Sequence, residues 1–113
     1  MALDRREEAE LYRDLTRDGQ SPYAVATGLA VDGIVAPDPA EGVRLLREAS
    51  ERLEALGVTT DSGLVLLDLA RAQIPAGEDP EPTIESAREL LTSAGALGWL
   101  PRADAIEAES QRG

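Results

Sequence analysis

The sequence predicts an all-α protein of about three antiparallel helix pairs, stacked as a right-handed solenoid without a sheet. Three observations predict this fold. Prolines, glycines and capping residues divide the chain into segments of helical length. Apolar residues within these segments recur with a helical period. Finally, a 41-residue repeat relates one helix and the loop after it to a second helix and loop.

Capping residues followed by proline predict where the second and third helices begin. Ser21 is a candidate N-cap, with Pro22 at the first helical position. Asp38 and Pro39 repeat this signal, and Glu41 completes a capping-box pattern. We therefore expect helices to begin at residues 22 and 39.

Three loops separate the remaining helices. The loop "LGVTTDSG" offers Thr60 or Asp61 as a cap, and "PAGEDPEP" offers Asp79 followed by Pro80. The last loop is "GALGWLPR", at residues 95–102. The predicted helices are 3–18, 22–34, 39–56, 61–74, 80–95 and 100–110.

Helix 39–56 has the clearest amphipathic pattern. One face carries Val43, Leu45, Leu46, Ala49, Leu53 and Leu56. The other face is charged, and its spacing predicts ion pairs four residues apart: Arg44–Glu48, Arg47–Glu51 and Glu48–Arg52. Each such pair stabilises an exposed helix by roughly 0.2–0.5 kcal/mol.

The stretch "GLVLLDLARA" inside helix 61–74 is almost solidly apolar around a single aspartate, Asp68. A strand is excluded by length, since the pattern runs to Ile74 without a turn residue after Gly63. On a helix the apolar residues cover well over half the circumference, so we expect neighbours on more than one side. Asp68 then lies on the narrow polar edge as a solvated carboxylate, placed for an ion pair with Arg71.

The repeat becomes visible when the chain is shifted by 41 residues. Asp38 falls on Asp79, and the later matches are Arg47 on Arg88 and Leu56 on Leu97, without a gap. The predicted pairs cover approximately residues 3–34, 39–74 and 80–110, within a single domain spanning residues 1–113. Helix 61–74 lies between neighbouring pairs in such a stack, which accounts for its wide apolar arc.

Composition excludes several functional classes. The chain has no cysteine and no histidine, which removes disulfides, thiolate catalysis and the commonest general base and metal ligand. Its net charge of −11 disfavours direct nucleic-acid binding. No apolar run reaches membrane-spanning length and no signal peptide is visible, so we expect a cytoplasmic protein without a membrane partner. The absence of lysine, asparagine and phenylalanine indicates a high-GC source such as an actinobacterium.

No motif indicates a catalytic, metal or cofactor site. The glycine-bearing loops match neither a Walker nor a dinucleotide pattern, and "GEDPEPTIE" lacks calcium-loop spacing. The serines and threonines have no histidine to activate them, and the glutamate clusters are typical of solvated helix faces. We therefore predict no catalytic residue, no metal and no cofactor.

Several stretches together resemble a known family. They are "LLREASERLEALG" at 45–57, "LLDLAR" at 66–71, "AREL" at 87–90 and "GA" at 95–96. They resemble the tetratricopeptide-like repeats near the C-terminus of large bacterial ATP-binding regulators, including LuxR-type regulators and ATPase-linked adenylate cyclases. The resemblance covers roughly residues 20–110. The chain departs from it in its 41-residue period and in Pro75 and Pro82.

The resemblance implies a protein–protein interaction or regulatory scaffold domain of a bacterial signalling or transcription regulator, not an enzyme. Its partner would be a protein or another part of a larger regulator. The alternative is a small-molecule effector-binding helical domain, and the weakest is an enzyme that uses carboxylates only. We expect a monomer or weak homodimer that unfolds cooperatively, because helices 3–18 and 100–110 are polar enough to cap both ends.

Four residues are the candidate interaction sites. Arg44, Arg47 and Arg88 lie on the first helices of successive pairs, which usually line the concave face of a solenoid. They would bind carboxylate or phosphate groups, unless intrahelical ion pairs account for them. Trp99, the only tryptophan, either covers the end of the core or anchors a partner.

Overall fold

The computed structural model describes residues 21–112, which contain five α-helices, one 3₁₀ turn and no strand. The α-helices are α1 (Pro22–Val35), α2 (Pro39–Ala55), α3 (Thr59–Ala76), α4 (Glu81–Ser93) and α5 (Leu100–Arg112), and the 3₁₀ turn is Leu97–Trp99. The all-α prediction is confirmed for these residues. The predicted helix 3–18 lies outside the described part of the chain. None of the helices within 21–112 is both long and apolar enough to cross a bilayer.

Side-chain caps start α1 and α2 as predicted. The Ser21 hydroxyl accepts the Ala24 N–H at 3.1 Å. The Asp38 and Asp79 carboxylates each accept the N–H two residues later, at 3.2 and 3.1 Å. Asp38 is the N-cap of α2, whereas the N-cap of α4 is Pro80, one residue after Asp79, so α4 begins at Glu81, one residue later than predicted.

Two expectations about helix starts are wrong. The carboxylate of Glu41 binds Arg44, so the capping box with Asp38 does not form. Helix α3 begins at Thr59, before Asp61, and its N-cap Val58 supplies no side-chain bond. The side chain of Asp61 instead accepts a hydrogen bond from the Tyr23 hydroxyl at 2.8 Å, which ties α3 to α1.

Glycines in the left-handed region follow α2, α3 and α4: Gly57, Gly77 and Gly95, with φ values of 77°, 79° and 74°. Pro75, which was expected to end the helix before it, lies inside the last turn of α3. The helix continues for only one more residue and closes through Glu78 N–H to Gln73 O at 2.9 Å. Pro75 has no N–H to donate to the carbonyl of Arg71, four residues earlier, and the helix ends one residue after it.

Consecutive helices pack against each other, and the short loops between them make them antiparallel. Helix α3 also contacts α1 and α5, while α2 and α4 both pack on α3. The Cα extents of 51 × 32 × 17 Å describe a flat, elongated arrangement. Two clusters form the core, and α3 contributes to both of them.

The first core cluster joins α1, α2 and α3, with Ala26, Ala30, Val43, Leu46, Ala49, Leu53, Val65 and Leu69. The second joins α3, α4 and α5, with Leu67, Ala70, Ile84, Ala87, Leu91, Ala103 and Ile106. Alternate residues of α3 thus face different neighbours. This confirms the prediction that the wide apolar arc of this helix is covered on more than one side.

Candidate functional site

The three candidate arginines do not form a common strip. Arg44 is the most exposed and binds Glu41 three residues earlier on α2. Arg47 reaches across to the α3–α4 loop, where its guanidinium lies 3.1 Å from Glu78 Oε1. Arg88 faces α5 on the far side of α4. Each arginine therefore has a different partner, and whether any of them binds an anion stays a prediction.

Arg88 is the centre of a carboxylate cluster that joins α4 to α5. Its guanidinium donates to Glu85 at 3.0 Å, to Asp104 at 2.8 Å and to Glu107 at 3.1 Å. The bonds to Glu107 and Asp104 raise the pKa of Arg88, while the Arg88 bond lowers the pKa of Glu107. Burial, and then the charge of Glu107, raises the pKa of Glu81 nearby. Arg88 thus holds two helices together.

Of the ion pairs predicted along α2, only Glu48–Arg52 forms, at 3.1 Å. Arg44 and Arg47 are drawn to other carboxylates. Glu78 Oε1 also accepts a bond at 3.2 Å from Gln73 Nε2, so one loop carboxylate connects α2 and α3. Glu78 lies 31 residues from Arg47, which is why spacing within a helix could not find this contact.

A groove of about 380 Å³ lies between α2 and α4. We call it the α2–α4 groove, and its lining residues are Arg47, Ser50, Glu51, Glu54, Leu66, Leu69, Pro82, Thr83, Ser86, Glu89 and Leu90. Its leucines come from α3 and α4, and its three glutamates from α2 and α4. None of these three glutamates has an ion pair within residues 21–112, whereas Arg47 is bound to Glu78. The groove therefore presents an uncompensated negative charge beside apolar surface.

A second cleft, of about 420 Å³, opens where α1, α2 and α3 meet. We call it the Asp68 cleft, and its lining residues are Gly33, Ile34, Ala36, Pro39, Gly42, Leu46, Asp68, Arg71, Ala72, Pro75 and Arg102. It uses a different face of α3 from the groove. Its charged residues are two arginines and one aspartate.

The position of Asp68 differs from the sequence expectation. Its side chain is only 25% exposed, and its ion-pair partner is Arg102 of α5, at 3.6 Å, not Arg71. Burial raises the pKa of the Asp68 carboxyl, and the charges of Arg102 and Arg71 oppose that rise. Asp68 is thus part of a charged cluster inside a cleft. The only indication of this position in the sequence is that Asp68 is an acidic residue in a largely apolar helical segment.

Trp99 lies in the 3₁₀ turn, where 41% of its surface is exposed. The Arg102 guanidinium lies over its ring, 5.9 Å from the centroid. Trp99 is therefore close to the Asp68 cleft through Arg102. Neither Arg102 nor Arg71 was predicted as a site residue, because the candidate arginines were those on the first helices of the pairs, α2 and α4.

Within residues 21–112, no group of three or more acidic side chains is placed to hold a metal ion. No family model matches the chain, and no curated protein or solved structure proved similar to it. Over residues 21–112, the geometry defines an all-α fold with two clefts of unlike charge on either side of α3. The resemblance to the repeats of bacterial regulators stays a prediction.

Proposed function

We propose that this chain is a protein-interaction arm, and that its α2–α4 groove binds a basic, partly apolar segment of a partner protein. One observation carries the proposal. Glu51, Glu54 and Glu89 line a groove that also contains leucines, and none of the three has an ion-pair partner among the described residues, since the one arginine of the lining is bound to Glu78. A partner that supplied the missing positive charges would be complementary to this surface.

The arrangement of the helices supports the same proposal. Helices α2 and α4 begin the second and third helix pairs, and first helices line the concave face in tetratricopeptide-like solenoids. Repeat-equivalent positions are buried alike: Val43 and Ile84, Leu46 and Ala87, Ser50 and Leu91. We therefore propose a right-handed solenoid whose inner face is the α2–α4 groove.

Both charge interactions and apolar contacts would contribute to binding in the groove. Arginine or lysine side chains of the partner would lie against the glutamates, and its leucine-like side chains against the partly exposed Leu66 and Leu90. Exposed charges mainly raise the association rate, while the apolar contacts supply most of the binding free energy. The affinity would therefore fall as salt is added, without disappearing.

Binding of a defined probe tests the groove. The probe is a fluorescein-labelled amphipathic peptide of arginine and leucine, compared with the same peptide carrying glutamate in place of arginine. We expect the basic peptide to bind in an anisotropy titration, and Glu51→Lys combined with Glu89→Lys to weaken binding at least ~tenfold. Glu109→Lys on α5, which changes an exposed glutamate outside the groove, is the matched control. If the double variant and Glu109→Lys bound the basic peptide equally well, the proposal would be overturned.

The partner itself can then be sought with the same variants. The resemblance in residues 45–96 points to a signalling or transcription regulator, so the proposed partner is a regulator subunit or another segment of the same regulator. Proteins retained from a lysate support the proposal only if the groove variant loses them and Glu109→Lys keeps them. Retention by all three forms would place the interaction elsewhere on the molecule.

The second candidate function is binding of a small-molecule effector, and the Asp68 cleft favours it. The cleft volume of about 420 Å³ lies within the range of ligand pockets, roughly 300–1,000 Å³. A thermal-shift screen of metabolites separates the two functions. A metabolite that stabilises the chain while the basic peptide fails to bind would favour the effector function.

A further inference from the structure

We infer that the Asp68 cleft binds a small monocarboxylate with an apolar body, such as a medium-chain fatty acid. The inference rests on the effector-binding candidate and is independent of the α2–α4 groove. It follows from three features of the cleft: its charge balance, the unused donors of its arginines, and its apolar walls.

The cleft has an excess of positive charge in a strongly acidic chain. Arg71 and Arg102 outnumber Asp68, the one carboxylate in the lining, whereas the chain as a whole carries −11. The α2–α4 groove has the opposite balance, three glutamates against one arginine. A single negative charge on a ligand would neutralise the cleft, and a cation would be repelled by its surplus.

Both arginines keep donors for a ligand. The side chain of Arg71 makes no hydrogen bond or ion pair with any residue in 21–112, although its charge acts on Asp68. Arg102 lies 3.6 Å from Asp68, which is beyond hydrogen-bond distance, so its N–H groups are not consumed there. A carboxylate between them would accept charge-assisted hydrogen bonds from two planar guanidinium groups.

Arg102 is also held in place before any ligand arrives. Asp68 attracts it from α3, and the Trp99 ring lies beneath it at 5.9 Å. A side chain that is already oriented loses less conformational freedom on binding. Burial around Asp68 has the further effect of strengthening every charge interaction in the cleft.

The rest of the lining is suited to a hydrocarbon. The uncharged walls are Gly33, Ile34, Ala36, Pro39, Gly42, Leu46, Ala72 and Pro75. Ile34 is 57% exposed, so covering it with a hydrocarbon removes apolar surface from water. The ligand should therefore carry a negative charge at one end and a hydrocarbon body along the rest of its length.

Trp99 provides a local reporter for the test, because it is the only tryptophan and lies against Arg102. Octanoate is titrated into the full chain while the tryptophan fluorescence is followed, with octanol and octylamine as neutral and cationic analogues. We expect a saturable change with octanoate and at least ~tenfold weaker binding of the two analogues, as for loss of a charge-assisted contact. Equal binding of octanol would overturn the inference.

Arg71→Gln is the decisive variant, since it removes a cleft cation and leaves the Trp99–Arg102 contact in place. It should weaken octanoate binding at least ~tenfold, while Arg52→Gln, an exposed arginine of α2 outside the cleft, should not. Circular dichroism of both variants checks that they fold alike. Calorimetry of octanoate binding to Arg102→Gln gives an independent measure of the contribution of the second arginine. An unchanged affinity of Arg71→Gln for octanoate would contradict the inference. If octanoate fails but a different metabolite binds and is lost in Arg71→Gln, the effector candidate stands without the carboxylate.

Discussion

At the scale of single residues, Gly33 marks a close approach between α1 and α2. A Cβ on Gly33 would lie 2.7 Å from Leu46 Cγ and 3.1 Å from the Gly42 carbonyl oxygen. Leu46 is buried in the first core cluster and cannot move aside freely. The absence of a side chain at Gly33 therefore lets α1 and α2 pack closely beside the Asp68 cleft.

Gly33→Ala should lower the free energy of unfolding by about 1–3 kcal/mol, as overpacking does in a filled core. Gly28→Ala is the matched control, because it lies on the same helix with no atom within 4 Å of its added Cβ. It should stabilise the chain by up to ~1 kcal/mol through helix propensity. Urea unfolding of both variants measures the difference, and equal effects would contradict the packing argument.

Asp68 gives a pH-dependent prediction. Burial raises the folded-state pKa of its carboxyl above the ordinary 3.8. Below that value the group is protonated in both states. As the pH rises through the shifted pKa, ionising the buried group costs stability in the folded state only, so Asp68 destabilises the chain at neutral pH.

Asp68→Asn should therefore gain stability relative to the natural chain as the pH is raised from 3 to 7. Urea unfolding across this range measures the change, and Asp32→Asn on the exposed face of α1 controls for the loss of a charge. If Asp68→Asn instead became relatively weaker towards neutral pH, attraction to Arg102 would outweigh burial.

The residue scale also shows where the sequence was informative. It identified Ser21 and Asp38 as caps because a cap acts on backbone only a few residues away. It missed the contacts Arg47–Glu78 and Arg102–Asp68, which join residues 31 or more positions apart. Side-chain partners across helices depend on how the helices pack, and a local pattern does not contain that information.

At the scale of elements, the repeat predicted α4 and α5 better at their starts than at their ends. Helices α3 and α5 begin at equivalent positions, and Ser62 and Val65 of α3 are buried like Ala103 and Ile106 of α5. The repeat places the end of α4 near residue 96, but α4 ends at Ser93. The loop "SAGALG" offers two glycines, and Gly95, not Gly98, takes the left-handed conformation.

Arg88 adds ion pairs between α4 and α5 to the apolar contacts of the second core cluster. The pKa of Glu107 is lowered from its ordinary 4.5, chiefly by its hydrogen bond with Arg88. A carboxyl with a lowered folded-state pKa contributes stability above 4.5, and this contribution is lost as the pH falls through the shifted value. The Arg88 cluster should therefore be strongest at neutral pH and weak in acid.

Arg88→Gln should lower the melting temperature at pH 7 by more than Arg52→Gln does, and the gap should close near pH 3. Arg52 is the suitable comparison because its single pair with Glu48 is exposed, and such pairs contribute little. Thermal unfolding followed by circular dichroism at both pH values provides the measurement. A gap that persisted in acid would mean that Arg88 acts through the packing of its aliphatic part.

At the scale of the whole molecule, the fold class was predictable and the clefts were not. Amphipathic periodicity and loop residues are local, so helices α1 to α5 were found within a few residues of their observed bounds. Each cleft draws its lining from at least three helices. Its volume and charge arise only when those helices are placed together.

The two core clusters share α3, and this makes a prediction about cooperativity. Leu46 belongs to the cluster of α1, α2 and α3, whereas Trp99 lies beside α5 at the other end of the helix order. Loss of the first cluster should leave one side of α3 without its packing partners. Since α4 and α5 pack on the other side of α3, they should lose stability with it. The described helices should therefore unfold together.

Leu46→Ala should destabilise the chain by about 2–5 kcal/mol, because its side chain is 1% exposed and a cavity would remain. In a cooperative molecule, circular dichroism and Trp99 fluorescence should report the same midpoint in urea, and the substitution should move both midpoints equally. Ile84→Ala in the second cluster is the matched variant at the other end of the core. If Leu46→Ala shifted the circular dichroism and left the Trp99 transition in place, each cluster would be folding on its own. Helix α3 would then transmit no stability between the two clefts that flank it.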